Sequence, residues 1–408
     1  MDSQLSIAIF CIHSCPLGQL GTRDTGGMNV YVREVSRCLG QMGHHIDIYT
    51  RAHDPKDVQV DCPSENVRVI HIQAGPVEDM GKMAQYSHLP DFILNMDSFL
   101  KPFEVHYDLV QSHYWLSALV GQHYARRWGI PHAVMFHTLG AIKNSLPVGE
   151  AESAVRLAAE KKLAQEVQCI IASTALERKE LRILYDTDMN KISVIPCGVD
   201  TELFHPYDKE AARNALGLDA GKIILFVGRI EQLKGIDNLI RALGMLPSDA
   251  RVRLLVIGGD EHSQPDVLRL QALAADVGIS QKVVFLGPVA QNALPLYYSA
   301  ADVSVVSSYY ESFCLVILEA LACGTPVLST NVGVAPSIIS DRRNGLLLDD
   351  NSPQSMAAGL MDMLYNGSYD SGEVRESVKG YSWDDVTRRI EAEYGRMLLR
   401  DKMNEGAN

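Results

Sequence analysis

The chain has 408 residues, of which 47% are hydrophobic and 21% are charged, and its formal net charge is −13. A single core stops growing at roughly 250–300 residues, so two domains are expected. The composition excludes a disordered chain, and the acidic balance argues against broad nucleic-acid binding. Because no apolar stretch approaches the ~18 residues that cross a bilayer, no transmembrane segment is predicted.

The cysteines and the N-terminus predict a reducing compartment. Eight cysteines occur with neither a Cys-x-x-Cys pair nor a zinc-type spacing to histidine, and we interpret them as reduced, buried thiols. The N-terminus lacks a basic start, and its apolar run over 6–12 indicates a buried strand rather than a signal peptide. We therefore expect a cytoplasmic protein.

Short apolar strands alternate with amphipathic segments along the whole chain. The predicted strands of the first half are 6–12, 46–50, 67–72, 108–112, 132–137, 169–173 and 191–196, with helices over 30–41 and 152–164. The predicted strands of the second half are 223–227, 252–258, 283–287, 302–306 and 326–330. A helix is predicted in the C-terminal tail, and Ser382 is expected to begin it. Such β-branched runs are typical of parallel strands buried on both faces. The pattern predicts an α/β fold with two Rossmann-like, doubly wound domains, 1–200 and 201–380, and a linker near 197–210.

The first glycine-rich loop lies at 24–32, between a predicted strand and a predicted helix. Ligands of doubly wound sheets bind at the carboxyl ends of the strands, where this loop is placed. Gly26 and Gly27 allow close backbone approach, and the amides of the helix N-terminus favour an anion. A plain turn is the alternative for an isolated Gly-Gly pair. The loop is not a G-x-G-x-x-G motif, so a nicotinamide cofactor is not indicated.

Two further polar segments, 112–115 and 136–138, follow strands of the first half. His137 is a candidate to contact a sugar hydroxyl or the forming bond, although a histidine in such a position is as often structural. Tyr114 and Thr138 offer neutral hydroxyls nearby.

A cleft is expected between the two predicted domains. The cations of the first half that are the best candidates to face it are Lys82, Lys143 and Arg156. For each of them alone, a solvated surface charge is the competing interpretation. An acidic protein that handles an anion must concentrate its cations at the site.

The segment G-R-I-E-Q-L-K-G at 228–235 places Arg229 and Lys234 in a loop after a strand. Guanidinium and ammonium groups make charge-assisted hydrogen bonds to phosphate oxygens. We expect the pair to bind a diphosphate and to stabilise it as a leaving group. A surface Arg/Lys pair is the alternative.

The segment after the strand at 302–306 is predicted to form a loop and then a buried helix over 315–323, which Gly324 and Pro326 end. Glu319 lies within that helix, where an unpaired carboxylate is costly, so we expect it to bind a ligand hydroxyl. A structural salt bridge is the alternative. Glu311 precedes the helix, whose first amides can meet a phosphate or a sugar. Cations for a diphosphate and carboxylates for hydroxyls suggest a site for a nucleotide sugar, which would be the donor of the sugar. The candidate contacts to this donor are Gly26, Gly27, Arg229, Lys234, Ser312, Phe313, Cys314, Leu315 and Glu319.

These residues resemble the large retaining glycosyltransferase family 4, whose members share the GT-B fold of two domains facing a cleft. The resemblance covers nearly the whole chain, and its most specific element is E-x7-E at 311–319, joined to G-R-x4-K-G at 228–235. It implies that Glu319 binds the ribose hydroxyls and Glu311 a hydroxyl of the donor sugar. It also implies that a C-terminal helix over 381–399 crosses back, so that 381–408 joins the first domain.

The run at 13–32, with S-H-Y-W-L-S and F-H-T-L, is similar to the mycothiol-pathway transferases, which transfer N-acetylglucosamine from UDP to an inositol phosphate. Sucrose-phosphate synthases are similar in the same stretches. The resemblance implies acceptor contacts at Gly27, Asn29, Lys82, Tyr114, Thr138 and Arg156, of which the Lys82 match is the loosest.

The chain departs from the family pattern at two positions. Val334 occupies the place of a usual glycine and is expected to narrow the loop near the sugar. Ser299 replaces a usual basic residue. The first departure leaves the choice of donor open.

The sequence therefore predicts a retaining transfer from a nucleotide sugar, with a UDP-sugar favoured, to a small phosphorylated polyol or sugar. His137, Arg229, Lys234 and Glu311 are the expected catalytic residues. The alternatives are transfer to fructose 6-phosphate, a mannosyl- or glucosyltransferase of glycan or glycolipid synthesis, a nucleotide-sugar epimerase and a non-catalytic sensor. No cofactor is expected and no metal-ligand cluster is seen, although a divalent ion is compatible with the scheme. A homodimer is compatible with the sequence.

Overall fold

The N-terminal domain is built on an eight-stranded sheet in the order β3-β4-β2-β1-β5-β6-β7-β8. We analysed a computed structural model that describes residues 4–18, 26–340 and 342–405. The strands are β1 (Ser6–Phe10), β2 (His45–Arg51), β3 (Val60–Ser64), β4 (Val67–Ile72), β5 (Leu109–His113), β6 (His132–Met135), β7 (Cys169–Ala172) and β8 (Ile192–Val194). Neighbouring strands pair in parallel except β3, which is antiparallel to β4.

The helices of this domain cover the two faces of the sheet. They are α1 (Gly27–Gln41), α2 (Lys82–Ser87), α3 (Leu89–Leu100), α4 (Trp115–Trp128), α5 (Gly140–Lys143), α6 (Ala154–Glu166) and α7 (Ala175–Tyr185). Local sequence sets several boundaries. Ser153 and Thr174 cap the first turns of α6 and α7 through their side chains. Gly129 ends α4 in the left-handed conformation that glycine adopts without strain.

The C-terminal domain has a second parallel sheet, in the order β11-β10-β9-β12-β13-β14. Its strands are β9 (Lys222–Val227), β10 (Val252–Ile257), β11 (Val283–Gly287), β12 (Val303–Val306), β13 (Val327–Ser329) and β14 (Gly345–Leu347). Its helices are α8 (Lys209–Ala215), α9 (Ile236–Gly244), α10 (Gln264–Asp276), α11 (Leu294–Ala300), α12 (Leu315–Ala322), α13 (Ala335–Ile338), α14 (Pro353–Met361) and α15 (Ser371–Glu376).

Each predicted strand is present; seven of the twelve are shorter than predicted by one to three residues, and two are longer. The sequence prediction missed β3 and β14. Strand β3 contains Pro63 and lies at the sheet edge, where a missing backbone donor is tolerated. Strand β14 has only three residues, too few for a period to show.

The last helix, α16 (Trp383–Glu405), returns to the N-terminal domain. Ser382 caps its first turn through Asp385, as the sequence suggested. Tyr394 of α16 donates a hydrogen bond to Gln111 of β5. Residues 406–408 of the predicted C-terminal segment lie outside the described residues.

The return of α16 joins the two domains. Val199 in the linker pairs with Ser382, and a Cβ on Gly198 would lie 2.7 Å from the Trp383 ring, so only glycine fits there. One apolar cluster extends from β1 through Trp383 to Ile317 of α12. None of the described helices combines the length and apolar character needed to cross a membrane.

Candidate active site between the two domains

The carboxyl ends of both parallel sheets face each other, which is where doubly wound folds bind ligands. The N-termini of α1 and α12 meet across this cleft: a Cβ on Gly27 would lie 3.3 Å from Cδ1 of Leu315. Gly26 precedes α1, and apart from its chain neighbours no atom of the described residues lies within 4 Å of the position of a Cβ added to it. The structure therefore brings together the two loops that the sequence assigned to the donor. Residues 24 and 25 of the first loop lie outside the described residues.

On the C-terminal side, Lys234 lies at the end of a short 3-10 turn, Gln232–Lys234, after β9. Its Nζ lies 2.6 Å from Oε1 of Glu311, which also accepts a hydrogen bond from Ser308 at 2.7 Å. Burial lowers the pKa of Lys234, but Glu311 together with Glu231 and Cys314 more than offsets this, and the net pKa is raised. Lys234 is therefore a fixed ammonium, and its present partner, Glu311, is itself one of the predicted site residues.

Arg229 has a different environment. Its Nη2 lies 3.0 Å from Oε1 of Glu231, and its side chain is 46% exposed. A guanidinium that is this exposed has a weak hold on its carboxylate. Arg229 can therefore reorient toward an anion that enters the cleft beside Lys234.

Glu319 lies within α12 and is buried. Its Oε2 accepts a hydrogen bond of 2.8 Å from the Tyr298 hydroxyl, and burial raises the pKa of this carboxyl to about 7. Among the described residues its partner is a neutral hydroxyl rather than a cation, which does not match the salt bridge considered as the alternative. The side chain also lines a cavity between the domains, together with Val30 and Leu315.

The loop before α12 is held in an unusual conformation. Cys314 has φ +78°, a left-handed value that is costly for a residue with a Cβ. Gly333 makes room for this loop, because a Cβ there would lie 2.2 Å from the Phe313 carbonyl oxygen. The strained turn directs the backbone of Ser312 to Leu315 into the start of α12, at the edge of the cleft.

The structure describes both departures from the family pattern. Val334 is buried in the hydrophobic core, and its backbone N–H donates to the Phe313 carbonyl at 2.8 Å. Val334 therefore helps to fix the turn before α12, and its expected narrowing of the loop near the sugar stays a prediction. Ser299 is also buried, and its hydroxyl accepts a hydrogen bond from the Tyr207 backbone N–H. It fixes the segment before α8.

On the N-terminal side, Arg156 of α6 is almost fully buried, so the surface-charge interpretation was wrong for this residue. Its guanidinium binds Oε1 of Glu160 at 2.6 Å and Oε1 of Glu152 at 2.7 Å. It also donates to Oγ1 of Thr138 at 2.9 Å and lies 4.8 Å from the centre of the Tyr114 ring. Burial alone would lower the pKa of Arg156, but the carboxylates raise it. Three predicted acceptor residues thus form one rigid group.

Lys143 contacts Glu152, the carboxylate that also binds Arg156. It thus reaches the acceptor side indirectly, as a partner of the Arg156 network. Lys143 and Arg156 together balance the charges of Glu152 and Glu160. The network is therefore neutral overall, and its cations are fixed before any ligand arrives.

The sequence analysis missed His13, which lies at the centre of the acceptor side. The ring of His13 packs on Tyr114 at 4.2 Å between centroids. Burial lowers the pKa of His13, and the charges of Lys82 and Arg156 lower it further, which shows that both cations lie near this ring. Its position after β1, at the end of a strand, was the available signal.

Asn29 does not present a free side chain to the cleft. Its Nδ2 donates to Oγ of Ser14 and to the Cys15 carbonyl, both at 2.7 Å, and its Oδ1 accepts from the Gly26 backbone N–H at 3.1 Å. The geometry gives the Asn29 side chain the role of fixing the loop before α1, and contact of this residue with the acceptor stays a prediction.

His137 adopts φ +60°, and Tyr114 adopts φ +76° at the equivalent corner of the neighbouring strand. Such strain in non-glycine residues clusters at functional sites. Nε2 of His137 lies 2.9 Å from Nδ1 of His113, and burial lowers the pKa of His137 to about 3. The imidazole is therefore neutral near pH 7 and turned toward the sheet, so it is suited to orienting a ligand rather than to donating a proton.

Comparison with known proteins agrees with this geometry. Residues 25–203 match the description "Glycosyltransferase Family 4", and residues 208–381 match "Glycosyl transferases group 1". The D-inositol 3-phosphate glycosyltransferase of Mycobacteroides abscessus is 38% identical over 96% of this chain and 89% of its own length. That of Corynebacterium glutamicum is 35% identical over 98% and 99%.

Among solved structures, the sucrose-phosphate synthase of Thermosynechococcus elongatus superposes with a TM-score of 0.89 at 30% identity. The superposition covers 97% of this chain and 100% of that one. Two parallel-sheet domains facing a cleft, with sequence relatives along nearly the whole length, confirm the predicted GT-B architecture. The chain is a glycosyltransferase and belongs to glycosyltransferase family 4.

Proposed function

We propose that this enzyme transfers a sugar, with retention of configuration, from a UDP-sugar to a small phosphorylated polyol, with an inositol phosphate as the favoured acceptor. The observation that carries the proposal is the acceptor side itself. A buried guanidinium is held by Glu152 and Glu160 next to Thr138 and Tyr114, with Lys82 close by. Such a group matches the oxygens of a phosphate dianion.

The names of the relatives support this acceptor. The curated relatives act on D-inositol 3-phosphate by name, and the superposed structure is a sucrose-phosphate synthase. The second candidate function is therefore transfer to fructose 6-phosphate. Both acceptors carry one phosphate on a polyhydroxylated ring, so the same cations serve either.

In the proposed mechanism, the donor diphosphate displaces Glu311 from Lys234 and draws Arg229 inward. Fixed cations then stabilise the negative charge that develops as the glycosidic bond breaks. The freed Glu311 binds a hydroxyl of the sugar, and Glu319 binds the ribose. The leaving phosphate takes the proton of the acceptor hydroxyl, which attacks from the same face.

In this scheme Arg229 and Lys234 do the work that a divalent ion does elsewhere, so we propose that no metal is needed. Turnover should persist in a chelator such as EDTA. Loss of activity in EDTA that added Mg²⁺ restores would contradict this part of the scheme.

The test is UDP release from UDP-N-acetylglucosamine and UDP-glucose, each with inositol 3-phosphate, fructose 6-phosphate or no acceptor. We expect release with inositol 3-phosphate and no conversion of the donor alone. Release only with fructose 6-phosphate would replace the favoured acceptor with the second candidate. Conversion without any acceptor would indicate an epimerase. Binding without conversion would indicate a sensor.

Two further expectations are retained as proposals. A cytoplasmic location is supported by the cysteines, all eight of which are free thiols. A homodimer stays a prediction, to be checked by light scattering.

A further inference from the structure

A buried carboxyl group has no role in the scheme above. It lies where the N-terminal domain contacts the donor loop, residues 312–314 directly before α12. Glu177 is in the first turn of α7 and is 2% exposed. Its Oε2 accepts hydrogen bonds from the backbone N–H and the hydroxyl of Ser173, both at 2.7 Å. The other oxygen, Oε1, is buried without a partner among the described residues.

Ser173 follows β7 and also reaches the other domain. Its Oγ lies 3.1 Å from the carbonyl oxygen of Ser312, the residue that begins the donor loop. This contact crosses the cleft directly before the strained turn at Cys314. Whatever holds Ser173 therefore acts on the backbone that leads into α12.

The contact raises a problem of proton count. The Ser173 hydroxyl has one proton but two acceptors, the Glu177 carboxylate and the Ser312 carbonyl. If Glu177 is ionised, the closer and charged acceptor takes the proton, because charge-assisted hydrogen bonds are the stronger. Two oxygen lone pairs then face each other across the domain contact.

If Glu177 is protonated, the conflict disappears. Its own O–H donates to Oγ of Ser173, and the Ser173 O–H donates to the Ser312 carbonyl. The chain of hydrogen bonds then runs from one domain to the other with every proton assigned. The added proton comes from solvent, and no covalent bond changes.

We propose that Glu177 is a positioning residue for the donor loop, and that with Ser173 it forms a latch that closes the two domains when Glu177 binds a proton. This inference deepens the proposed function, on which it rests, because it links closure of the cleft to donor binding. Glu177 touches neither substrate in this scheme and acts through Ser173 alone.

The surroundings of Glu177 favour the protonated form. Burial raises the pKa of Glu177, and its hydrogen bonds to Ser173 only partly offset this. Among the described residues, the titratable groups whose charges interact with it are Tyr31 of α1, Glu180 of α7, Cys197 of the linker and Tyr310, which lies two residues before Ser312, and none of these four is a cation. A carboxyl whose pKa is raised in the closed form favours closure at low pH and loses that contribution as pH rises.

The first readout needs no ligand. Small-angle scattering over a range of rising pH should show the radius of gyration of the wild type increasing, because the latch opens when Glu177 loses its proton. Ser173→Ala, which lacks the bridging hydroxyl, should show no such change. An invariant wild-type radius would overturn the latch, whether or not any nucleotide binds.

The second readout is UDP affinity by calorimetry over the same range. Relative to Ser173→Ala, which keeps every other titrating group, wild-type affinity should fall by about three- to tenfold toward high pH, the range that one net hydrogen bond supports. Ser173→Ala lacks the hydroxyl that bridges the domains and Glu177→Gln lacks the group that binds the proton, so both should lose this fall. The variants share the titration of UDP itself with the wild type, so the difference between profiles isolates the latch.

Glu180→Gln is the matched control, because burial and the neighbouring Glu177 raise the pKa of Glu180 to about 7. This variant should keep the fall, because it leaves both Glu177 and the Ser173 hydroxyl in place. Superimposed profiles for wild type and Ser173→Ala, or a flat profile for Glu180→Gln alone, would overturn the proposal. Absence of UDP binding at every pH would refute the proposed donor instead, with the scattering result still deciding on the latch.

Discussion

The two sides of the cleft hold their cations in opposite ways. The guanidinium of Arg156 on the acceptor side is 2% exposed and fixed by two carboxylates, whereas that of Arg229 on the donor side is 46% exposed. The buried cation is pre-organised for one small anion. The donor side instead keeps Lys234 on Glu311, a partner that a diphosphate can displace. In the proposed scheme, the acceptor side is rigid before binding, and the donor side is assembled by its ligand.

The largest effect is expected for Lys234→Ala. It removes the fixed charge that stabilises the leaving diphosphate, so kcat should fall by ~10²–10³. Thermal unfolding should change little, because the site is at a loop. Lys379→Ala is the control, since that lysine is exposed and forms an ion pair with Glu376, which is also exposed. Near-normal turnover for Lys234→Ala would reject its assigned role.

On the acceptor side, Arg156→Ala is a poor test, because it would leave Glu160 buried without its cation, at a cost of about 3–5 kcal/mol. Arg156→Lys keeps the charge but loses the planar contacts to Thr138 and the carboxylates. We expect the KM of the phosphorylated acceptor to rise by about tenfold, one lost charge-assisted hydrogen bond, with the donor KM unchanged. An equal rise in both KM values would argue against separate pockets.

The smallest effect is expected for Glu319→Gln, and it is visible mainly as a pH dependence. Burial raises the pKa of Glu319 to about 7. The ionised carboxylate accepts ribose hydroxyls more strongly than the acid, so donor affinity should rise with pH through this value. The variant should flatten that rise and weaken donor binding by a few-fold. The Ser173–Glu177 latch makes affinity fall as pH rises, which is the opposite direction. Glu319→Gln should therefore remove the rise from the wild-type profile, whereas Ser173→Ala and Glu177→Gln should remove the fall.

Strand and helix positions were largely predictable, because periodicity and strand-end motifs are local properties. The apolar run after Cys314 predicted a buried helix, and Ser382 predicted the start of α16. What failed were features without a local signal. The edge strand β3 pairs through its partner, and the three residues of β14 carry no period.

The same division holds for the site. The chain by itself determined that Lys234, Glu311 and Glu319 come after strand ends, because residue type and the spacing from loop to helix are local properties of the sequence. Only the tertiary structure decided that Arg156 is buried, that Asn29 is occupied by its own loop and that Glu177 meets the donor loop through Ser173. Burial and pairing depend on residues far away in sequence. They decide that Arg156 is buried and held by carboxylates, whereas Arg229 is exposed.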